Sequence, residues 1–126
     1  LKPLTVLIAD DDADFRAGLS ELLRRESGLK VIGYAKDGLD AVSKTQRLNP
    51  DIVFMDIVMP GLDGVGAASQ IRKRWPSTKV VLVTIHNEKT YRRLAVQSKI
   101  DGFIHKGSIV QDLPKALEKI ASRISR

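Results

Sequence analysis

Four aspartates in two places carry the first chemical signal of this chain. Asp10, Asp11 and Asp12 stand in a row behind the apolar run LTVLIA, and Asp56 closes the apolar run within DIVFMDIVMPGLDG. Each like-charge pair held ~4 Å apart at an effective dielectric of ~20 costs about 4 kcal/mol, so carboxylates from both places can share a pocket only around something positive. The chain has no cysteine, and no histidine lies near these aspartates, so the ligand atoms would all be oxygens. That donor set selects a hard cation, and a few carboxylates completed by water and phosphate suit Mg²⁺ better than a full calcium cage. Thr84 closes a later apolar run, KVVLVT, and Lys106 closes another, GFIHK. A hydroxyl and an ammonium at those places can bind oxygens of a phosphoryl group.

What would gather these side chains is an alternation of short Val- and Ile-rich runs with amphipathic stretches, the pattern of a parallel sheet with crossover helices. Strands are predicted at about residues 4 to 9, 30 to 34, 51 to 55, 79 to 84 and 101 to 105, and helices at about 13 to 26, 37 to 48, 64 to 74, 87 to 98 and 111 to 124. The strands are apolar throughout, which means both sheet faces are covered. Phe15, Leu19, Leu22 and Leu23 share one face of the first helix. Leu113, Leu117, Ile120 and Ile124 form the stripe of the last, with Asp112 as its expected cap and Pro114 therefore in its first turn. Gly28 follows the first helix, and Asn49 with Pro50 stops the second. Ligands of such sheets bind at the carboxyl ends of the strands, where the strand order reverses. In an order 2-1-3-4-5, strands one and three are neighbours at that point, and Asp10, Asp11 and Asp56 converge.

The bulk composition narrows the rest. A chain of 126 residues with 43% hydrophobic content is the size of one domain, residues 1–126, with one real core. Without cysteine there are no disulfides, zinc-thiolate sites or cysteine nucleophiles. The longest apolar runs, such as Leu4 to Ala9 and Val80 to Val83, fall far below the ~18 residues of a membrane span, and no signal peptide is visible. The chain opens on Leu1 rather than methionine, as a trimmed chain or a piece of a longer one would, and the cytoplasm is its expected location. The net charge of +6 permits a polyanion partner but does not require one. Arg72, Lys73 and Arg74 close a predicted helix and Lys115, Lys119 and Arg123 recur at four-residue spacing, which reads as solvated helix ends and faces. Few aromatics accompany them to stack bases.

With IADDD at 8 to 12, MDIVMPGLDG at 55 to 64, VTIH at 83 to 86 and GFIHK at 102 to 106, the sequence resembles the response regulator receiver family nearly end to end. An acidic pair alone is weak. The ordered set of acidic pair, Asp before an MPG loop, strand-ending Thr and strand-ending Lys is specific. The resemblance implies a flavodoxin-like (βα)5 fold, doubly wound, with strand order 2-1-3-4-5. It implies that Asp56 accepts a phosphoryl group from a histidine kinase or phosphotransfer protein, making the chain a signalling module rather than a turnover enzyme. Asp11, Asp56 and the Val58 carbonyl would hold Mg²⁺, with Asp10 helping through water. Lys106 would neutralise phosphoryl oxygens and Thr84 would bind one, moving toward the group while Phe103 turns inward. The fourth helix, fifth strand and fifth helix would carry the readout, with Tyr91 and Phe103 reporting it. A homodimer is compatible with this reading, and DNA would be reached only through an output domain outside these residues.

Each assignment has a plainer rival. Asp10 or Asp11 alone could cap the first helix, and Asp12, directly before it, is the expected cap. Asp63 with Gly64 reads as the start of the third helix, Thr84 could be an ordinary strand threonine, Lys106 a solvated lysine and Phe103 core packing. His86 and His105 stand isolated and carry no metal role. Two departures from the family stand out: Ile85 replaces the small residue after the threonine and would crowd the way to Asp56, and Gly107 replaces the proline that often follows the lysine in a cis peptide. Lacking that proline is common in receivers joined to helix-turn-helix output domains. A degenerate receiver acting as a phosphorylation-independent interaction module is a second reading, resting on Ile85. A haloacid-dehalogenase-like phosphatase is a third, because Asp10 and Asp12 make a D-x-D pair, though Asp56 and the MPG loop would then have no role. A flavin-binding domain of similar topology is disfavoured, because no phosphate-cradling loop rich in Ser, Thr and Gly follows the first strand here.

Overall fold

In the computed structural model, which describes residues 2–86, 89–97 and 99–124, the apolar runs become the strands β1 (Leu4–Ala9), β2 (Leu29–Ala35), β3 (Ile52–Asp56), β4 (Lys79–Thr84) and β5 (Gly102–His105). The helices α1 (Ala13–Arg24), α2 (Gly38–Leu48), α3 (Gly64–Arg74), α4 (Lys89–Gln97) and α5 (Ile109–Ala121) alternate with them, and one 3₁₀ turn (Lys106–Ser108) precedes α5. All pairings are parallel and the order is β2-β1-β3-β4-β5. The expected flavodoxin-like arrangement is therefore the observed one.

The side-chain period of two divides β1 between two cores. Leu7 and Ala9 face Ala41 and Val42 of α2 and Ala67, Ala68 and Ile71 of α3. Val6 and Ile8 face Leu19 and Leu23 of α1 and Leu113, Leu117 and Ile120 of α5. Burying each of the Val, Leu and Ile side chains among them contributes about 1.5–3 kcal/mol, which makes the central strands a rigid platform for whatever projects from their ends. Asp12 and Asp63 cap α1 and α3 as expected: Asp12 Oδ1 accepts the Asp14 and Phe15 N–H groups, and Asp63 Oδ1 accepts that of Gly66. Asn49 ends α2 in the left-handed region at φ 48°, and Gly28 takes φ 83° before β2.

Element ends depart from the sequence reading in interpretable ways. Arg25 and Glu26 do not extend α1, because their N–H groups bond to Leu22 and Leu23 three residues back, in a closing 3₁₀ turn. At α5 the correction is larger. The N-cap is Ser108 rather than Asp112, and Asp112 instead accepts the Ser108 hydroxyl at 2.7 Å from within the first turn. Pro114 lies inside the helix, not in its first turn. Burial of Ile109 on the same face as Leu113 and Leu117 draws the helix start backward past the proline. Asn87, Glu88 and Ser98, placed in the fourth helix from sequence, lie outside the described residues, as does the side chain of Tyr91.

Candidate functional site

Each strand that contributes to the site hands over its residue at its carboxyl end. β1 leads into Asp10 and Asp11, β3 ends on Asp56, β4 on Thr84, and β5 gives way to Lys106, which opens the 3₁₀ turn instead of ending the strand. Because β1 and β3 are adjacent and in register from Val6↔Ile52 to Ala9↔Met55, the two aspartate groups meet. One carboxylate oxygen each from Asp10, Asp11 and Asp56 lies within 4.8 Å of the others. Asp10 is buried at 1% exposure and Asp56 at 8%, while Asp11 is exposed at the mouth.

Lys106 joins them from the turn after β5. Its ammonium lies 2.7 Å from Asp10 Oδ2 and 3.3 Å from Asp56 Oδ2, over the Phe15 ring at 4.1 Å from the centroid. Asp10 is further held by its Oδ1 accepting the Asp12 N–H at 2.9 Å and its backbone carbonyl accepting Arg16 Nη1 at 2.6 Å. Its Oδ2 is buried, with the Lys106 ammonium at 2.7 Å as its ion-pair partner. Burial pushes the Asp56 carboxyl above the usual carboxylate range, the Asp10 charge adds to this, and Lys106 with the Val58 N–H offsets only part. Burial alone would pull Lys106 down, but the hydrogen bond and charge of Asp10 together with the charge of Asp56 push it up.

The donor set fits a hard dication. Three carboxylates whose oxygens lie within 4.8 Å of one another face one ammonium, so net negative charge remains, and the ligand atoms are all oxygen. Asp10, Asp11 and Asp56 are the side chains that would hold such an ion. Val58 donates its N–H to Asp56 Oδ1 at 3.4 Å, and the residue is 46% exposed.

Thr84 is fully buried at the same sheet edge, and its Oγ1 accepts the His86 N–H at 3.0 Å. Phe103 stands one strand further out, paired with Leu82, half-buried against the core with Arg92 over its ring at 5.2 Å. Ile85 is 66% exposed, its side chain turned to solvent.

Sequence reasoning missed several residues that shape this site. Phe15 was read only as helix core, although an aromatic in the turn following the acidic run must sit at the same sheet edge. His105, dismissed as isolated, bonds both the Ile85 carbonyl and the Gly107 N–H. Gly64 touches the site from α3: its N–H donates to the Ile57 carbonyl at 2.7 Å, and a Cβ there would lie 1.9 Å from the Asp56 carbonyl oxygen.

Comparison with known proteins agrees with this geometry. The family model described as "Response regulator receiver domain" matches residues 6–118. A curated relative, the response regulator protein VraR of Staphylococcus saprophyticus, is 38% identical over 119 residues, covering 93% of this chain and 56% of the relative, so the chain spans about half of that protein's length. Among solved structures, the response regulator domain of Thermotoga maritima CheB matches with a TM-score of 0.86 and 32% identity over 99% of this chain and 100% of that one. A DNA-binding response regulator of the LuxR family from Staphylococcus aureus matches with a TM-score of 0.86 and 27% identity over 93% of this chain and 98% of that one. By sequence, strand order and site geometry together, the chain belongs to the response regulator receiver domain family.

Proposed function

We propose that residues 1–126 act as one phosphoacceptor domain that takes a phosphoryl group on Asp56 from a histidine kinase or phosphotransfer protein. The observation that carries this reading is the convergence of Asp10, Asp11 and Asp56 on the Lys106 ammonium at one sheet edge. An Asp56 carboxylate oxygen attacks phosphorus in line, the new P–O bond forming as the donor's P–N bond breaks and its imidazole departs. Asp11, Asp56 and the Val58 carbonyl would hold Mg²⁺, with Asp10 helping through water, and the ion would supply charge neutralisation at the phosphoryl oxygens. Lys106, already in the pocket, offsets charge on the same oxygens, and the Thr84 hydroxyl binds one of them. Thr84 and Phe103 then form the switch that changes the α4–β5–α5 face.

The downstream reading is transcriptional, through a DNA-binding segment outside these residues, because a LuxR-family DNA-binding regulator is among the similar structures. Dimerisation of the phosphorylated chain and a cytoplasmic location belong to the same reading. Among the described residues no helix is long and apolar enough to cross a membrane. The phosphatase alternative loses support because Asp12 is occupied as the α1 cap rather than directed to the pocket.

The test is labelling with acetyl phosphate and Mg²⁺, read by intact mass spectrometry with chemical mapping of the acyl phosphate. One phosphoryl group on Asp56, abolished in Asp56→Asn, is the expected result. Persistent labelling of that variant, or a phosphate mapped to Asp10, would overturn the mechanism. If the wild type does not label, Ile85→Ala decides whether that side chain excludes the donor.

A further inference from the structure

His105 closes β5 directly opposite Thr84 in the β4–β5 ladder, and its ring spans two loops. Nδ1 accepts the Gly107 N–H at 3.0 Å, and Nε2 lies 2.8 Å from the Ile85 carbonyl oxygen. A backbone N–H can only donate and a carbonyl can only accept. Both contacts are therefore hydrogen bonds in one state alone, the neutral imidazole with its hydrogen on Nε2. Gly107 is fitted under the ring: a Cβ there would come 3.0 Å from Nδ1 and 3.1 Å from Cε1. Proline at that position would have no N–H for His105, which gives the departure from the lysine–proline pattern a local reason.

The two loops joined by this ring are those whose residues act on Asp56. One follows directly on Thr84, the last residue of β4, whose Oγ1 is engaged by the His86 N–H, and carries Ile85, whose carbonyl is pinned while its side chain is free to solvent. The other carries Lys106, held between His105 and Gly107 with its ammonium on Asp10 and Asp56. Motion of Thr84 toward a phosphoryl group must carry Ile85 with it, and the imidazole opposes that motion.

We propose that His105 is a positioning residue that latches the loop after β4 to the loop after β5, and so sets how readily Thr84 reaches a phosphoryl group on Asp56. The inference rests on the reading of Asp56 as phosphoacceptor, but the latch can be examined without any phosphoryl group. In ¹⁵N-labelled, metal-free protein at about pH 8, above the ordinary histidine range, the His105 ring should carry hydrogen on Nε2 and none on Nδ1. Two substitutions then divide the ring's bonds. His105→Asn keeps an acceptor for the Gly107 N–H, as an Asx turn, but is too short for Ile85. His105→Gln keeps a donor at about the Nε2 position.

Loss of one hydrogen bond corresponds to about a fivefold change in an equilibrium. His105→Asn should accordingly raise the open population at the Thr84, Ile85 and His86 amides about fivefold by relaxation dispersion. It should also tighten apparent beryllofluoride affinity by a similar factor, because the competent loop is more populated. His105→Gln should stay near wild type in both. A hydrogen on Nδ1, or loop amides in His105→Asn matching wild type, overturns the latch whatever beryllofluoride does. Loosened amides with unchanged beryllofluoride affinity overturn its role in switching. Failure of all three proteins to bind beryllofluoride, with the amides loosened as expected, would overturn the Asp56 reading and leave the latch on the loop standing.

Discussion

The Lys106 ammonium lies closer to Asp10 than to Asp56, 2.7 Å against 3.3 Å, so the charge that a phosphoryl group would need is already engaged by the neighbouring carboxylate. Without a dication the Lys106 ammonium is what offsets charge between these two buried carboxylates. Lys106→Met preserves chain length and contact with Phe15 but removes that charge. Its melting temperature in EDTA should fall by roughly 6–10 °C, corresponding to about 2 kcal/mol for a partly solvated pocket. Mg²⁺ should restore most of the loss, giving the variant a larger metal-dependent gain than wild type. Equal gains in thermal melts of the two proteins would mean that Asp10 and Asp56 do not share the ion.

Asp56→Asn should behave in the opposite way without metal. The Asp56 pKa is raised in the fold, first by burial and then by Asp10, so the folded chain holds this proton more tightly than the unfolded one. Stability from this group is therefore greatest in acid and is lost as pH rises from about 3.9 through the raised folded value. The amide escapes that loss. In EDTA at neutral pH the variant should melt a few degrees above wild type, the gap closing toward about pH 4, and Mg²⁺ should reverse the order. Lys106, also raised, contributes stability that is complete below about pH 10.4 and is lost above it as pH passes the folded value. A variant that melts lower at neutral pH in EDTA would show that attraction to Lys106 outweighs burial.

The loop after β3 is held by backbone contact that leaves no room for a methyl group. At Gly64 a Cβ would lie 1.9 Å from the Asp56 carbonyl oxygen and 2.8 Å from Ile57 Cα, and neither neighbour is a flexible side-chain end. Gly64→Ala should cost about 3 kcal/mol or more despite the better helix propensity of alanine. It should also weaken Mg²⁺ binding, read as smaller amide shifts at Asp11, Asp56 and Val58. Gly18, exposed in α1 with nothing within 4 Å of a Cβ, is the control: Gly18→Ala should stabilise by about 0.5–1 kcal/mol. Trp75 is a poor reporter for the metal titration, since α3 starts beside Asp56 and places this residue at its far end.

Much of the site was legible because its residues terminate apolar runs, and in a parallel sheet the ends of such runs share one edge. Asp10, Asp11, Asp56, Thr84 and Lys106 all follow that rule. The residues that hold them do not, since their partners lie far away in sequence. His105 reaches Ile85 across 20 residues, and Phe15 meets Lys106 only because α1 and the turn after β5 cover the same edge. The start of α5 was misread for a related reason. Asp112 and Pro114 give strong local signals, but burial of Ile109 against the sheet overrides them, and Val110, whose carbonyl loses a helical N–H to the proline, stays exposed to water.

The lifetime of the phosphoryl group should depend on Val58. Its N–H donates to Asp56 Oδ1 at 3.4 Å, so its side chain is anchored beside the carboxylate, and at 46% exposure it lies where water would approach. The valine side chain can neither donate nor accept a hydrogen bond, and a water in that place keeps its orientational freedom. Asparagine offers both a donor and an acceptor from the same backbone position. If attack of that water limits hydrolysis, Val58→Asn should speed decay about threefold to tenfold, the range that one productive hydrogen bond of about 1 kcal/mol supplies. Val58→Leu should leave the rate near wild type, because it changes size without adding a polar group. The measurement is made on protein phosphorylated with acetyl phosphate, freed of donor by gel filtration and followed by intact mass spectrometry in Mg²⁺. Faster decay in both variants would assign the effect to altered packing around Asp56, and no change in Val58→Asn would mean that water reaches the phosphoryl group by a path that avoids this side chain.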